Sequence, residues 1–229
     1  MSDPHIVAFD AAGKHVTMRF ASSLDHIART VEHTKTFYEA EMLADVRARL
    51  FFPTCAIDVG AHVGNHTLFF SLMLGMRTIA FEPNPATHAL LEANVRENGV
   101  GAVCKLRNAA IGSETGRVAV QSASENNTGM ARVRPDAAGD VPLVRLDEEL
   151  TDEPRIDIIK IDVEGWELEV LRGAPRVIAV HRPVLYIEAM ETEFVKVEAH
   201  LRDSGYLCWK RFNATPTFLF LPRERLGQA

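Results

Sequence analysis

The chain has 229 residues, 47% hydrophobic and 24% charged, with 25 Lys and Arg against 31 Asp and Glu for a net charge of −6. That length suits one α/β domain with a single substantial core, and the acidic balance argues against a nucleic-acid backbone as the main partner.

Residues 1–35 read as short strands and turns, with apolar positions at Ile6, Val7, Val16 and Met18. Met42, Leu43, Val46 and Leu50 share one helical stripe, so residues 39–50 read as an amphipathic helix that Pro53 closes. A buried strand over Cys55–Val59 follows, then a helix over residues 65–74 that Gly75 stops. The next strand covers 77–82. Asn84 as N-cap and Pro85 in the first turn then open a helix that ends at Gly99. Further strands are expected in "AVCKL", "GRVAVQ", "RIDIIKID" and "RPVLYIEA", with a helix ending at Gly173 behind "RIDIIKID" and another over 193–203 stopped by Gly205. "YLCWKRF" and "TFLFLP" read as an antiparallel hairpin. Between Gln121 and Pro142 the chain reads as a long polar loop.

Three well-separated cysteines without C-x-x-C spacing suggest neither a disulfide framework nor a zinc knuckle. The longest apolar run, residues 68–76, falls far short of the roughly 20 residues that span a bilayer. No basic stretch followed by an apolar one marks a secretory leader in "MSDPHIVAFD", so a cytoplasmic location is the default expectation.

Alternating apolar strands and helices imply a mainly parallel sheet covered on both faces. Ligands bind such sheets at the carboxyl ends of the strands. Candidate functional residues therefore stand at 58–65, at Glu82, at Asn108, at 162–164 and at Glu188.

The loop in "AIDVGAHVGNHTLFF" follows the first core strand. Its glycines are Gly60 and Gly64, with His62 where a dinucleotide fingerprint would have its middle glycine, and no Lys follows as a phosphate loop requires. His62 and His66 have the spacing of two helical metal ligands, but Gly64 lies between them and no third ligand is near. A nucleoside without a diphosphate fits better. Glu82 can accept both ribose hydroxyls, Asp58 can meet an ammonium or hold the turn, and the amides from Gly64 to His66 can face a carboxylate. S-adenosylmethionine is such a ligand.

The segments "DVGAHVGNHT", "FEPNP", "AAIGSETG", "LDEEL" and "IIKIDVEGWELEVLRGA" resemble the class I S-adenosylmethionine-dependent methyltransferases, and more narrowly the FkbM family. The likeness covers about residues 35–190. It implies a Rossmann-like fold with a seven-stranded, mainly parallel sheet, an antiparallel C-terminal hairpin and helices on both faces. One domain over 1–229 is expected, with residues 1–50 a candidate lid and 51–229 the core. The resemblance further implies O-methylation of a hydroxyl on a sugar, glycan or secondary metabolite. Tyr38, Asp58, Gly60, His62, Gly64, Asn65, His66, Thr67, Glu82 and Asn108 are the expected cofactor-binding residues. His62 departs from the family, which often has Asn there.

An alcohol acceptor must lose its proton, so a carboxylate or His within reach is wanted. Asp162 is the first candidate, with Glu164 and Glu188 beside it; Glu164 also suits a helix first turn. Lys160 reads equally as a structural ion pair. The carboxylates would suit Mg²⁺, but their spacing is not diagnostic and no metal is expected to be required. Trp166, Asn127 in "NNTG" and Arg132 are candidate acceptor contacts, with Arg134 also able to meet an anion, set against simple packing or solvation. N-methylation of another small molecule, nucleobase or protein, a non-catalytic cofactor-binding role and a dehydrogenase are the competing functions. An Asp/Asn-Pro-Pro-aromatic loop, common in N-methyltransferases, is replaced here by "IDVEGW".

Overall fold

The computed structural model describes residues 3–121 and 132–226. Strands β1 (His5–Ala11) and β2 (Lys14–Phe20) form an antiparallel hairpin, followed by α1 (His26–Thr34) and α2 (Ala40–Arg49). Asp25 caps α1, its side chain accepting from Ala28 N at 3.0 Å. Then come β3 (Cys55–Val59), α3 (Asn65–Leu68), β4 (Arg77–Phe81), α4 (Pro85–Glu97), β5 (Cys104–Arg107), β6 (Ala110–Ile111), β7 (Gly116–Gln121), β8 (Arg132–Pro135) and β9 (Val141–Val144). The chain continues through α5 (Leu146–Glu149), β10 (Ile158–Ile161), α6 (Glu167–Arg172), α7 (Pro175–His181), β11 (Val184–Glu188), α8 (Glu191–Asp203), β12 (Tyr206–Phe212) and β13 (Thr217–Pro222).

Seven strands build the main sheet in the order β12-β13-β11-β10-β3-β4-β5. β11, β10, β3, β4 and β5 pair in parallel, whereas β13 runs antiparallel to both β11 and β12. Successive strand residues face opposite sides, as the two-residue period requires. Ala56, Ile158, Val184 and Tyr186 join one apolar cluster with the N-terminal hairpin, α1, α2 and α4. Ile57, Ile159, Leu185 and Ile187 join the other with α6, α7 and α8. Full burial of each Val, Leu or Ile side chain among these stabilises by roughly 1.5–3 kcal/mol.

The N-terminal hairpin is also held by side-chain amides of α4. Asn94 accepts from Arg19 N at 2.7 Å and donates to Arg19 O at 3.1 Å; Asn98 accepts from Thr17 N at 3.0 Å and donates to Thr17 O at 2.7 Å. These bonds satisfy backbone groups on an outer edge of β2 that no strand covers.

Four sequence expectations change. Within residues 1–35, read as strands and turns, α1 covers His26–Thr34, its inner face marked only by Ala28 and Val31. The helix expected over 65–74 is α-helical only through Leu68 and widens to a π-turn over Phe69–Met73, where Leu74 N reaches back to Phe69 O at 3.2 Å. Phe69 and Phe70, within that turn, are both buried. α7 was not anticipated; Pro175 opens it directly after Gly173 and Ala174. The long polar loop contains β8 and the start of β9, which join β6 and β7 in a separate four-stranded sheet ordered β6-β9-β7-β8. Among the described residues, no helix is long and apolar enough to cross a membrane.

Candidate active site

The turn after β3 is shaped by contacts that only glycine permits. Gly60 has φ +77°, and a Cβ there would lie 1.8 Å from the carbonyl oxygen of Asp162. The Gly60 and Ala61 amides both donate to Phe81 O at 3.0 Å, tying the turn to the end of β4. Gly64 has φ +98°, and its Cβ would meet Leu91 at 2.6 Å. His62 adopts a left-handed φ of +51°, a conformation that costs a non-glycine residue of order 1–3 kcal/mol. It aims the His62 amide at Glu82 Oε2, 2.9 Å away. The His62 ring lies 3.9 Å from Asp25 Oδ2, and burial lowers its pKa.

Glu82 is therefore a held carboxylate. Oε2 takes the His62 amide and Oε1 takes the Asn84 amide at 2.8 Å, and each oxygen retains a second lone pair. Burial pushes its carboxyl up to about 7. Asn108 braces the chain beneath, donating to Glu82 O at 2.8 Å and Pro83 O at 3.0 Å. A cavity opens beside Glu82, lined by Phe81, Ala110, Ile111, Val163 and Trp166 together with Gly60 and His62. An apolar slot with one anchored, buried carboxylate at its side matches a purine and a ribose diol, so these residues fit an adenosyl group.

Of the expected cofactor residues, Gly60, His62 and Glu82 line this cavity; Tyr38, Asp58, Gly64, Asn65, His66, Thr67 and Asn108 do not. Asp58 is fully buried, accepts from Thr67 Oγ1 at 2.7 Å and lies 3.8 Å from Lys160 Nζ. Asp58 and Thr67 brace the turn from below, one of the two roles the sequence leaves open for Asp58. Asn65 grips the Tyr38 backbone, while His66 Nε2 lies 2.9 Å from Glu39 Oε2. Glu39 also accepts from Asn213 Nδ2.

A wider cleft adjoins the cavity. Asp162, Glu164 and Trp166 line both spaces, and Tyr38, Arg132 and Glu188 line the cleft. Asp162, Glu164 and Glu188 each place an oxygen within 4.8 Å of the others. Such carboxylate proximity is common without an ion; the group presents three acceptors to one cleft. Burial, then Asp162 and Glu167, push Glu164 up to about 7. Burial and Asp162 push Glu188 up to about 9. Tyr38, half-buried and near Glu39 and Glu188, is pushed up to about 12, chiefly by that burial. Asn127 lies outside the described residues.

Sequence reasoning passed over Ile27, Ala109, Ala110 and Ile111, all of which line the cavity. The small residues of "AAIG" directly after Asn108 carried the only signal, since a slot needs walls without bulk. Lys160, read as a strand ion pair, joins Asp58, Gly60 and Asp162.

Comparison with known proteins bears on this arrangement. A methyltransferase FkbM domain model matches residues 58–208. The hexuronic acid methyltransferase AglP of Haloferax volcanii is 30% identical over 174 residues, which cover 68% of this chain and 70% of that protein. Methyltransferase 1 of Beauveria bassiana is 27% identical over 142 residues, covering 51% of this chain and 57% of that protein. The crystal structure of methyltransferase FkbM from Methylobacillus flagellatus KT aligns with a TM-score of 0.57 at 20% identity, over 76% of this chain and 45% of that one. The N-terminal domain of human METTL16 in complex with SAH aligns with a TM-score of 0.50 at 14% identity, over 79% of this chain and 66% of that one. The structural likenesses are of fold; the sequence match carries the kinship. On that match, the chain belongs to the FkbM family of methyltransferases.

Proposed function

We propose that this protein transfers a methyl group from S-adenosylmethionine to a hydroxyl of a sugar, glycan or secondary metabolite. The observation that carries the reading is the anchored Glu82 carboxylate beside an apolar slot, opening onto a cleft where three carboxylates converge. The bound cofactor would supply a methyl on a sulfonium, already activated for in-line displacement. Glu82 would accept the ribose hydroxyls, Ala110, Ile111 and Phe81 would enclose the base, and the turn at Gly60 and His62 would face the amino-acid end.

The cleft residues serve the acceptor. Holding an acceptor oxygen in line accounts for roughly 7–11 kcal/mol of such a barrier, and Asp162, Glu164 and Glu188 are placed to accept from its hydroxyls. Trp166 offers an apolar face of the kind on which sugar rings pack. The hexuronic acid named for the relative AglP supports a carbohydrate acceptor, and Arg132 stands in the cleft to meet a uronate carboxylate.

Calorimetric titration with S-adenosylhomocysteine, beside a Glu82→Ala variant and an NADH control, tests the cofactor half. Micromolar binding lost in the variant is expected; absence of binding by the folded wild-type protein would refute the reading. S-adenosylhomocysteine release over a panel of methyl glycosides, including methyl glucuronoside, then tests the acceptor half and separates an enzyme from a cofactor-binding protein without turnover.

A further inference from the structure

Three carboxylates share the cleft mouth, and their surroundings treat them unequally. Asp162 Oδ2 lies 3.1 Å from Lys160 Nζ. The other acceptors around that ammonium are Gly60 O at 3.2 Å and Asp58 Oδ1 at 3.8 Å. Lys160 is 4% exposed and stands beside Asp58 in the parallel register of β10 and β3. It donates to Gly60 O and Asp162 Oδ2, while the Asp58 charge stands beyond hydrogen-bond distance, so the ammonium is held in one place. One link joins the cofactor turn through Gly60 to Asp162 at the acceptor cleft. Burial alone would lower the lysine pKa, but Asp162, Asp58 and Glu39 more than offset it and keep it cationic.

Glu188 is placed differently. It ends β11, in register with Thr217 of β13, so its backbone is fixed from the sheet. Asp162 and Glu164 face it from the chain after β10, Lys160 from β10 itself, and Glu39 and Tyr38 from the segment before α2. Among the described residues, no donor bonds its carboxylate. A carboxylate already accepting from an ammonium is a poor destination for another proton, whereas one crowded by like charges and partly buried is a good one. Glu164 is the weaker competitor: its backbone is left-handed at φ +53°, and Arg132 attracts its charge.

We propose that Lys160 is a positioning residue that commits Asp162 to orienting the acceptor and leaves Glu188 as the catalytic residue that takes the hydroxyl proton. The assignment rests on the methyl-transfer reading above. As the acceptor oxygen bonds the methyl carbon, the sulfur–carbon bond breaks with its electron pair left on sulfur, and the acceptor's O–H proton passes to a Glu188 oxygen. General base catalysis of this kind contributes about 10²–10⁴ in rate.

The first test needs no acceptor. In protein labelled with ¹³C at the glutamate carboxyls, the Glu188 resonance is the one lost in Glu188→Gln. It should titrate near pH 9, move higher in Lys160→Met and return in Lys160→Arg. A Glu188 midpoint in the ordinary carboxylate range would overturn the proposal. Kinetics with a glycoside that the panel identifies supply the second test. Glu188→Gln should lose at least about a hundredfold in kcat with S-adenosylhomocysteine affinity kept within twofold, and wild-type kcat should climb with pH. Asp162→Asn should raise KM more than it lowers kcat, and Lys160→Arg should restore what Lys160→Met loses. Full kcat in Glu188→Gln, or activity abolished by EDTA and restored by Mg²⁺, would overturn the assignment. Failure of the wild-type protein to bind S-adenosylhomocysteine would instead sink the methyltransferase reading, so the two failures are distinct.

Discussion

Asn65 holds the backbone of Tyr38 with both ends of its amide: Oδ1 accepts from Tyr38 N at 2.9 Å and Nδ2 donates to Tyr38 O at 3.2 Å. A residue at the start of α3 thereby pins a segment 27 positions earlier in the chain across the cofactor turn. Asn65→Ala removes both bonds, each worth about 1 kcal/mol net. Hydrogen exchange at the Tyr38 amide should quicken by at least about tenfold, the factor that corresponds to 1.4 kcal/mol. An unchanged rate would mean the grip does not protect this amide.

In the function proposed above, Glu82 gives the cofactor site a pH dependence with a definite sign. Its carboxyl is raised to about 7 by burial, and a ribose diol needs the ionised form as acceptor. Affinity for S-adenosylhomocysteine should therefore rise by about tenfold between pH 6 and pH 8, and Glu82→Gln should bind weakly without that rise. Stability of the cofactor-free protein runs the other way. A carboxyl raised on folding contributes stability that is full below its unfolded value and is lost as pH climbs through about 7. Melting temperature should fall from pH 5 to pH 8 in the wild type and fall less in the Gln variant.

Gly60→Ala places a methyl group 1.8 Å from a backbone oxygen of Asp162 at a φ of +77°. Backbone cannot yield as a flexible side chain can, so the variant should lose about 3 kcal/mol or more. Gly165→Ala is the control: its φ is +96°, but nothing lies within 4 Å of the added carbon, so only the conformational penalty of roughly 1–2 kcal/mol applies. Equal denaturation midpoints for the two variants would contradict the close approach.

Asp157 secures the entry to β3. It is buried and accepts from Thr54 N at 2.7 Å, Thr54 Oγ1 at 2.9 Å and Cys55 N at 3.0 Å. Burial raises its carboxyl, but these bonds and Arg155 more than offset that and leave it below 3.8. Its contribution is present above the unfolded value and is lost as pH falls through the folded one. Asp157→Ala should cost about 3 kcal/mol near neutral pH, and its deficit should shrink below pH 4. Urea melts at pH 7 and pH 3 would show whether the deficit shrinks.

The inner strands of the parallel sheet were legible because they are apolar on both faces, as Ile57, Ile158 and Ile159 illustrate, so little polar alternation blurs the signal. α7 escaped because Gly173 and Pro175 resemble a helix end and a loop, and only Val177 and Ile178 mark its inner face. β8 reads as loop because its arginines and Pro135 suit an edge strand as well as a coil. Strand ends also located Glu82, Asp162 and Glu188, since topology delivers those positions to one rim. Inward pairing was invisible: Asp58 meets Thr67 and Lys160, and no local pattern shows which way a carboxylate at a strand end turns.

The segment matched by the family model starts at residue 58, yet the contacts that close the cofactor turn reach earlier. Buried His66 finds its carboxylate in Glu39, Asn65 finds its partner in Tyr38, and Glu39 extends the link to Asn213 beyond the other end of the match. Asn94 and Asn98 likewise spend their amides on Arg19 and Thr17. A gene trimmed to the recognisable segment would encode every candidate acceptor carboxylate and still leave buried polar groups stranded. In this protein the stretch that the family model matches is shorter than the stretch these contacts tie together.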